Sequence, residues 1–540
     1  MKVVIVGGVA AGASAAARLR RLDEFAEITL VEKGPAISYA NCGLPYHVGG
    51  VIPDRDNLLV MSAEGFRKRF NVDVRTSCEA TAIDRTAKTV TVRNADGSVE
   101  ALPYDRLLLA TGATPIRIPV PGLPDDRVFT LNSLTDMDRL IAAVRGAKSA
   151  LVIGGGAIGV ETAENLAHRG LTMTLVEKAP NILPAMLDPE MATWAEDALR
   201  ETGVDLRTKR TVASWADGVA TLDDGATVPA DLVVMALGVR PNSALAQAAG
   251  LDLGAKGHIK VNAHLQTSDP DIFAAGDVAE VDGFAVALAG PANLQGRAFA
   301  KSIVDVEEGS NLSLPYDPGL ASGIVKVGAL TAAGTGVPEA RLKAEGKTYT
   351  AIYAHPMAHA GYYPGATPIH VKVLMGEAWE ILGAQAVGTE GVDKLIDVIN
   401  ASACDISGCS CLSELNLCYA PPYGSAKAPV NMLGMIAENA EDELTRPITP
   451  AQIPEGAFLL DVREPAEVAG GTIPGAVNIP LGDLRDRLGE VPKDRPIVVF
   501  CKVGQRGYFA ERLLSQRGYD VVNLSGGYTT WLAYKKAGLL

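Results

Sequence analysis

Residues 149–178 read SALVIGGGAIGVETAENLAHRGLTMTLVEK. An apolar strand runs into a G-x-G-x-x-G turn at Gly154, Gly156 and Gly159, a helix follows, and a second apolar strand ends on Glu177. Gly154 permits the tight turn, Gly156 lets backbone approach a pyrophosphate, and Gly159 lets the helix pack close to the strand. The helix amides then face the anion, with Ile158 in the same turn. A carboxylate at the end of the next strand bonds a ribose 2′-hydroxyl, so Glu177 favours NADH, while the adjacent Lys178 leaves NADPH open.

The chain opens on the same pattern. VVIVGGVAAGASAAA (residues 3–17) leads to ITLVEK (residues 28–33), with Gly7 and Gly12 at the outer glycine positions and Val9 at the middle one. Gly8 and Ala11 lie in this turn, and Glu32 ends the strand before Lys33. The apolar start with no acidic residue before Asp23 also has the look of a signal peptide, but the completed βαβ unit argues for a buried strand. Two βαβ units in one chain imply two dinucleotide sites.

Length and charge set the frame. A chain of 540 residues suggests three or four domains at roughly 150 residues each. The net charge of −14 disfavours nucleic acid as a partner. Seven cysteines in such a chain are not a disulfide scaffold. With no other apolar run long enough to span a bilayer, the expectation is a soluble, cytoplasmic protein without membrane contact. Strands alternate with helices to about residue 320, residues 321–439 read as a separate α+β module, and the proline-rich Arg446–Gly456 linker opens a further α/β unit.

Three short segments tie the opening units together: LLLATGA (Leu107–Ala113), LGVRPN (Leu237–Asn242) and TSDPDIFAAGDVAE (Thr267–Glu280). Their order resembles the pyridine nucleotide–disulfide oxidoreductases over about residues 1–440. That resemblance implies FAD, held by the first glycine turn with Thr111, Gly112, Gly276 and Asp277. Asp277 would bond the ribityl chain or a phosphate-bridging water, and Gly238 would border the nicotinamide cofactor. It implies an FAD-binding domain from 1–114 and 243–322, an NAD(P)H-binding domain from 115–242, a dimerisation domain from 323–444 and a final domain from 445–540.

SYANCGLPY (residues 38–46) places Cys42 just past the first βαβ unit. No C-x-x-C accompanies it, so a reactive Cys42 must cycle as thiolate, mixed disulfide, persulfide or sulfenic acid. A buried, inert thiol is the competing reading. The flanking Ser38, Asn41, Gly43 and Pro45 resemble the coenzyme A disulfide reductases. NADH oxidases and peroxidases also use one cysteine, with different flanks, and stand as the alternative.

HAGYYPGA (359–366) and YAPPYGSAKAPVN (419–431) resemble the paired interface segments of the same family. There, tyrosines from the opposite subunit of a homodimer assist proton transfer at the cysteine. Carried over, these are Tyr362 and Tyr419, with Tyr363 and Tyr423 as neighbours. Coenzyme A contacts of the family map onto Ser14, Arg18, Arg21, Ser38, Asn41 and Lys427. Cys404, Cys409, Cys411 and Cys418 lack the paired C-x2-C spacing of common zinc sites, so no metal is expected. Cys78 reads as an ordinary strand-edge residue.

The C-terminal LLDVRE (459–464), GTIPGAVNIP (471–480) and PIVVFCKVGQRGY (496–508) resemble a single-domain rhodanese. Cys501 begins a loop ahead of a helix, where backbone N–H groups and the helix N-terminus stabilise a persulfide anion. Arg506 sits in that loop, Asp461 and Arg463 buttress it, and Thr472 stands where many members carry histidine.

The whole resembles the coenzyme A disulfide reductase–rhodanese fusions, which include NADH-dependent persulfide reductases. The expected fold is α/β: two Rossmann-like domains, an α+β dimerisation domain and a rhodanese domain. The expected activity is FAD-dependent reduction of coenzyme A persulfide, polysulfide or coenzyme A disulfide through Cys42, with Cys501 handling sulfane sulfur. A flavoprotein whose rhodanese is a non-catalytic interaction module is the further alternative. Sequence leaves open which substrate is preferred, which sulfur Cys42 attacks, and whether the rhodanese docks on its own subunit.

Overall fold

In the computed structural model, residues 1–307, 315–403 and 410–540 are described. All five residues of the Ser149–Ile153 strand are buried, as a parallel strand covered on both faces requires. It lies at the centre of a five-stranded parallel sheet, in the order Val204–Thr208, Thr172–Glu177, Ser149–Ile153, Leu232–Met235, Val128–Phe129. The Lys2–Val6 strand holds the same central place in a second parallel sheet, ordered Ile272–Ala274, Arg106–Leu109, Lys2–Val6, Glu27–Val31, Asp73–Arg75. The apolar N-terminal run is thus a core strand followed by the Ala10–Leu22 helix.

The chain crosses from one Rossmann-like sheet to the other through Ala113–Pro115 and returns through Val239–Pro241, and these two strands pair antiparallel. Two antiparallel meanders interrupt the expected alternation of strand and helix, at residues 79–103 and 212–229. The sign of the first was the two-residue alternation of TVTVR, where Val90 and Val92 point into the core.

A five-stranded antiparallel sheet follows, ordered Ser322–Val327, Leu330–Gly336, Ile381–Gly388, His370–Met375, Thr350–Ala354. The last sheet is parallel and small, with the fully buried Ile497–Phe500 strand at its centre.

The C-terminal domain docks on its own chain. The Ser525 hydroxyl accepts from the Tyr353 backbone N–H at 2.9 Å, the Tyr353 and Tyr534 hydroxyls lie 2.9 Å apart, and His355 Nε2 meets the Thr530 hydroxyl at 2.9 Å. Behind Tyr353 lies Lys372, fully buried, whose ammonium donates to Asp188 (2.8 Å), Glu190 (2.7 Å) and Glu339 (2.5 Å). These three carboxylates are close enough to hold a metal ion, but the lysine ammonium occupies their focus. Among the described residues, no helix is long and apolar enough to cross a membrane.

Candidate active site

The two glycine turns are built alike. Gly7 (φ +106°) and Gly154 (φ +109°) both sit in the left-handed region, where a side chain would strike the Ala110 and Ala236 carbonyl oxygens at 2.0 and 2.3 Å. In each unit the strand-end carboxylate folds back on the loop. Glu32 accepts from the Gly8 and Gly34 N–H groups at 2.8 and 2.6 Å, and Glu177 from those of Gly155 and Ala179 at 2.5 and 2.6 Å. Each oxygen keeps a lone pair for a ribose diol.

The helices that follow, Ala10–Leu22 and Ala157–His168, have no side-chain cap and no acid in the first turn, so their N-terminal amides are free for an anion. Nothing lies within 4 Å of a Cβ placed on Gly112, Gly156 or Gly238, and Ile158 is 41% exposed beside the second turn. These open, uncapped cradles fit two dinucleotides. Gly276 is anchored by its N–H on Gln295, and burial raises the carboxyl of its neighbour Asp277. Thr111 is committed elsewhere: its hydroxyl donates to the Asn242 carbonyl at 2.9 Å, bracing the two crossing segments. Lys33 pairs with Glu79 at 2.7 Å.

Cys42 lies in a single 3-10 turn, Asn41–Gly43, ahead of the short Leu44–Gly49 helix. The residue is exposed, so it is not the buried thiol of the competing reading, and its sulfur lies 3.9 Å from Asn41 Oδ1. Partial desolvation, then the charges of Glu161 and Asp277, push its thiol above the ordinary value. Glu161 and Tyr46 were not singled out from sequence: the Tyr46 hydroxyl donates to Glu161 at 2.9 Å, and burial raises the Glu161 carboxyl. An acid within the helix of the quoted stretch was the available signal.

The basic run Arg18-Leu-Arg-Arg divides by burial. Arg20 is buried, its guanidinium donating to five backbone carbonyls, among them Phe70 (2.9 Å) and Ala26 (2.7 Å), and it serves the fold. Arg21 is exposed, and desolvation and then the charges of Arg18 and Arg297 lower its basicity. Arg21 thus feels the charge of Arg297 as well as that of Arg18, where sequence indicated only the pair Arg18 and Arg21. Arg297 belongs to the Ala289–Glu307 helix, which packs along the Ala10–Leu22 helix. Ser14 is half-buried on the latter helix. Ser38 adopts a left-handed backbone (φ 48°), its N–H held by the Gly8 carbonyl at 2.9 Å, which joins the cysteine segment to the first glycine turn.

Tyr362 and Tyr419 come together, their hydroxyls 2.9 Å apart. Within one chain they are 75% and 48% exposed, beside the exposed Tyr363 and Tyr423, and Lys427 is exposed as well. The hydrogen bond to Tyr419 raises the Tyr362 hydroxyl. Cys404 and Cys409 lie outside the described residues. Cys411 is half-buried with its thiol on the Ser402 carbonyl at 3.9 Å, Cys418 is exposed, and Cys78 is buried with its thiol on Asn94 Oδ1 at 3.2 Å.

In the C-terminal domain Cys501 is 1% exposed, and its sulfur accepts from the Gly504 N–H at 3.2 Å. Gly504 (φ +95°) caps the Gln505–Ser515 helix, which has no acid in its first turn. Arg463 pairs with Asp461 in the interior, Nε–Oδ1 2.9 Å and Nη2–Oδ2 2.6 Å, and Thr472 donates to the same carboxylate at 2.7 Å. The threonine thus preserves a bond to the buttress. Arg506, on the helix that follows the Cys501 loop, forms a two-pronged pair with Glu467 at 2.6 and 2.7 Å, which sequence reading did not foresee.

Residues 1–296 match the family model described as pyridine nucleotide-disulphide oxidoreductase, and residues 442–534 match the rhodanese-like domain. The coenzyme A disulfide reductase of Staphylococcus haemolyticus is 33% identical over 447 residues, covering 81% of this chain and 99% of that protein. The crystal structure of reduced Bacillus anthracis CoADR-RHD superposes with a TM-score of 0.95 at 42% identity, covering 98% of each chain. The NAD-dependent persulfide reductase from A. fulgidus gives 0.90 at 38% identity, covering 98% of this chain and 100% of that one.

Proposed function

This chain belongs to the pyridine nucleotide-disulphide oxidoreductase family and is an oxidoreductase with a C-terminal rhodanese domain, and from that premise we propose that it reduces coenzyme A persulfide, polysulfide or coenzyme A disulfide. The observation that carries the reading is the exposed Cys42 on a segment tied to the first cradle by the Ser38 N–H on the Gly8 carbonyl and to the second by the Tyr46 hydroxyl on Glu161.

The family implies FAD and NAD(H). FAD would lie along Gly7, Gly8, Gly12, Glu32, Gly112 and Asp277, NADH along Gly154, Gly156, Ile158, Gly159, Glu177 and Gly238. Together they would supply the electron pair that returns an oxidised Cys42 to the thiol state. NADH is the favoured donor because Glu177 leaves no room for the charge of a 2′-phosphate.

The protein's own part is sulfur chemistry. Cys42 thiolate attacks the sulfur–sulfur bond of the substrate, forming a mixed disulfide or a Cys42 persulfide and releasing a thiolate or hydrosulfide. Arg18, Arg21 and Arg297, with Lys427, hold the phosphates of coenzyme A, while Ser14, Ser38 and Asn41 line its approach. Tyr362 and Tyr419 of a second copy in a homodimer protonate the leaving thiolate. Their exposure on the isolated chain supports a covering partner. Cys501 carries sulfane sulfur as a persulfide, stabilised by the Gly504 amide.

Anaerobic NADH oxidation with coenzyme A persulfide, coenzyme A disulfide and polysulfide, each supplied separately, tests the reading. Turnover with at least one of them, with stoichiometric hydrosulfide from the persulfide, is expected. NADH consumption confined to oxygen or peroxide would establish the oxidase or peroxidase alternative instead.

A further inference from the structure

We infer that Glu467 sets which sulfane-sulfur donor Cys501 accepts, holding Arg506 neutralised so that thiol-borne persulfides are taken in preference to the thiosulfate dianion. The inference rests on the reading of Cys501 as a sulfur carrier and extends it to donor choice.

Two arginines of this domain are each matched by a carboxylate. Arg463 is buried against Asp461, with both Asp461 oxygens engaged and Thr472 on one of them. Arg506, in the first turn of the helix whose cap Gly504 bonds the Cys501 sulfur, spends both terminal nitrogens on Glu467 at 2.6 and 2.7 Å. Lys502 is exposed, so its charge is screened by solvent. What remains directed at the sulfur is dipolar: the Gly504 N–H at 3.2 Å and the amides of the uncapped Gln505–Ser515 helix.

Such dipoles suit a single sulfur anion. A compact dianion needs an uncompensated cation to be drawn from water into a recess where the nucleophile is 1% exposed. A thiol persulfide RSSH brings no such demand at its reacting end.

The two donors differ in what leaves. With RSSH, the Cys501 thiolate attacks the outer sulfur: the Cys501 S–S bond forms, the RS–S bond breaks, and RS⁻ departs with the electron pair. With thiosulfate the same bond forms at the outer sulfur, the bond to the sulfonate sulfur breaks, and sulfite departs with the pair. In both cases cyanide then takes the outer sulfur as thiocyanate and restores the Cys501 thiolate. Glu467 acts on the first step, by cancelling the charge that would bind thiosulfate.

The test is the ratio of kcat/KM for thiosulfate to that for glutathione persulfide, with cyanide as acceptor, on the full chain without NADH. Glu467→Gln frees the guanidinium and should raise the ratio about tenfold or more, the gain shrinking as salt rises. Arg506→Gln leaves the Glu467 carboxylate uncompensated and should lower it. Both variants break the same ion pair, so a purely structural role would move the ratio in one direction for both. A ratio that is unmoved, or moves the same way in both, overturns the inference. If Glu467→Gln does not fold, an unchanged or raised ratio in Arg506→Gln overturns it alone. Cys501→Ser separates the levels: retained transfer from either donor would refute the sulfur-carrier reading itself.

Discussion

The Tyr46 hydroxyl donates to the Glu161 carboxylate at 2.9 Å, and so joins the helix that follows Cys42 to the helix that follows the second glycine turn. The same two helices are laced by Arg169 Nε on the Val48 carbonyl at 2.7 Å, and Gly49 lies so close to Asn165 that a Cβ there would meet its Oδ1 at 2.1 Å. The cysteine segment and the nicotinamide-binding segment are therefore one packed unit. Glu161 also faces the thiol and raises it. Glu161→Gln should move the pH midpoint for iodoacetamide alkylation of Cys42, followed on its own peptide, to lower pH. An unmoved or raised midpoint would show that the carboxylate does not act on the sulfur.

The charges of Arg18 and Arg297 both act on Arg21, and the proposed function gives Arg297 a coenzyme A phosphate to bind. Losing one charge-assisted hydrogen bond costs about 1.5–3 kcal/mol, so Arg297→Ala should raise KM for coenzyme A disulfide by roughly tenfold to a hundredfold. Polysulfide, which has no phosphate, serves as the control and should keep its KM. Equal losses on both substrates would place Arg297 in the fold instead.

The Lys372 ammonium is enclosed by three carboxylates at the junction of the second Rossmann-like domain, the antiparallel sheet and the rhodanese domain. Burial alone would raise the Glu339 carboxyl, but Lys372, Lys343 and Tyr349 bring it down to about 2. Lys372→Ala strands buried carboxylates and should cost about 3–5 kcal/mol in the first urea unfolding transition. A loss below about 1 kcal/mol would mean that the cluster relaxes by taking up protons or water.

Two histidines, His355 buried and His370 half-buried, give the rhodanese contact a pH dependence. His355 and His370 meet through their Nδ1 atoms at 2.9 Å, Trp194 stacks on His370 at 3.9 Å, and His355 bonds Thr530 of the docked domain. Burial, and for His355 the neighbouring His370, brings them down to about 3 and about 4. Both stay neutral when docked, while the unfolded chain takes up protons below roughly pH 6.5. Their contribution is complete above that value and is lost as pH falls toward 4 and then 3, by up to about 1.4 kcal/mol per unit for each histidine. Hydrogen exchange across residues 525–534 should quicken from pH 7 to pH 5 beyond the intrinsic pH effect. Flat corrected rates would contradict this.

Much of the architecture was legible because its signals are local. A glycine turn between two apolar strands leaves few foldings, and ILGAQAVG forms a strand over the very span it occupies in sequence, Ile381–Gly388. Cys42, Cys501 and Asp277 carried motifs around them. What escaped notice was decided by tertiary contact. Arg297 has no motif and matters only because two helices lie side by side. Glu467 looks like a helix-capping acid until Arg506 folds onto it. Docking of the rhodanese on its own chain depends on Tyr353, Tyr534, His355 and Thr530, four residues distant in sequence and ordinary in type.

Everything proposed for the reductase passes through the Cys42 sulfur, so Cys42→Ser, with flavin content verified by absorbance, is the most direct measurement. Assayed anaerobically with NADH and coenzyme A persulfide, the variant should bind flavin as the unaltered protein does and release hydrosulfide at least about a thousandfold more slowly. Hydrosulfide release at the unaltered rate would remove Cys42 from the chemistry and contradict the account.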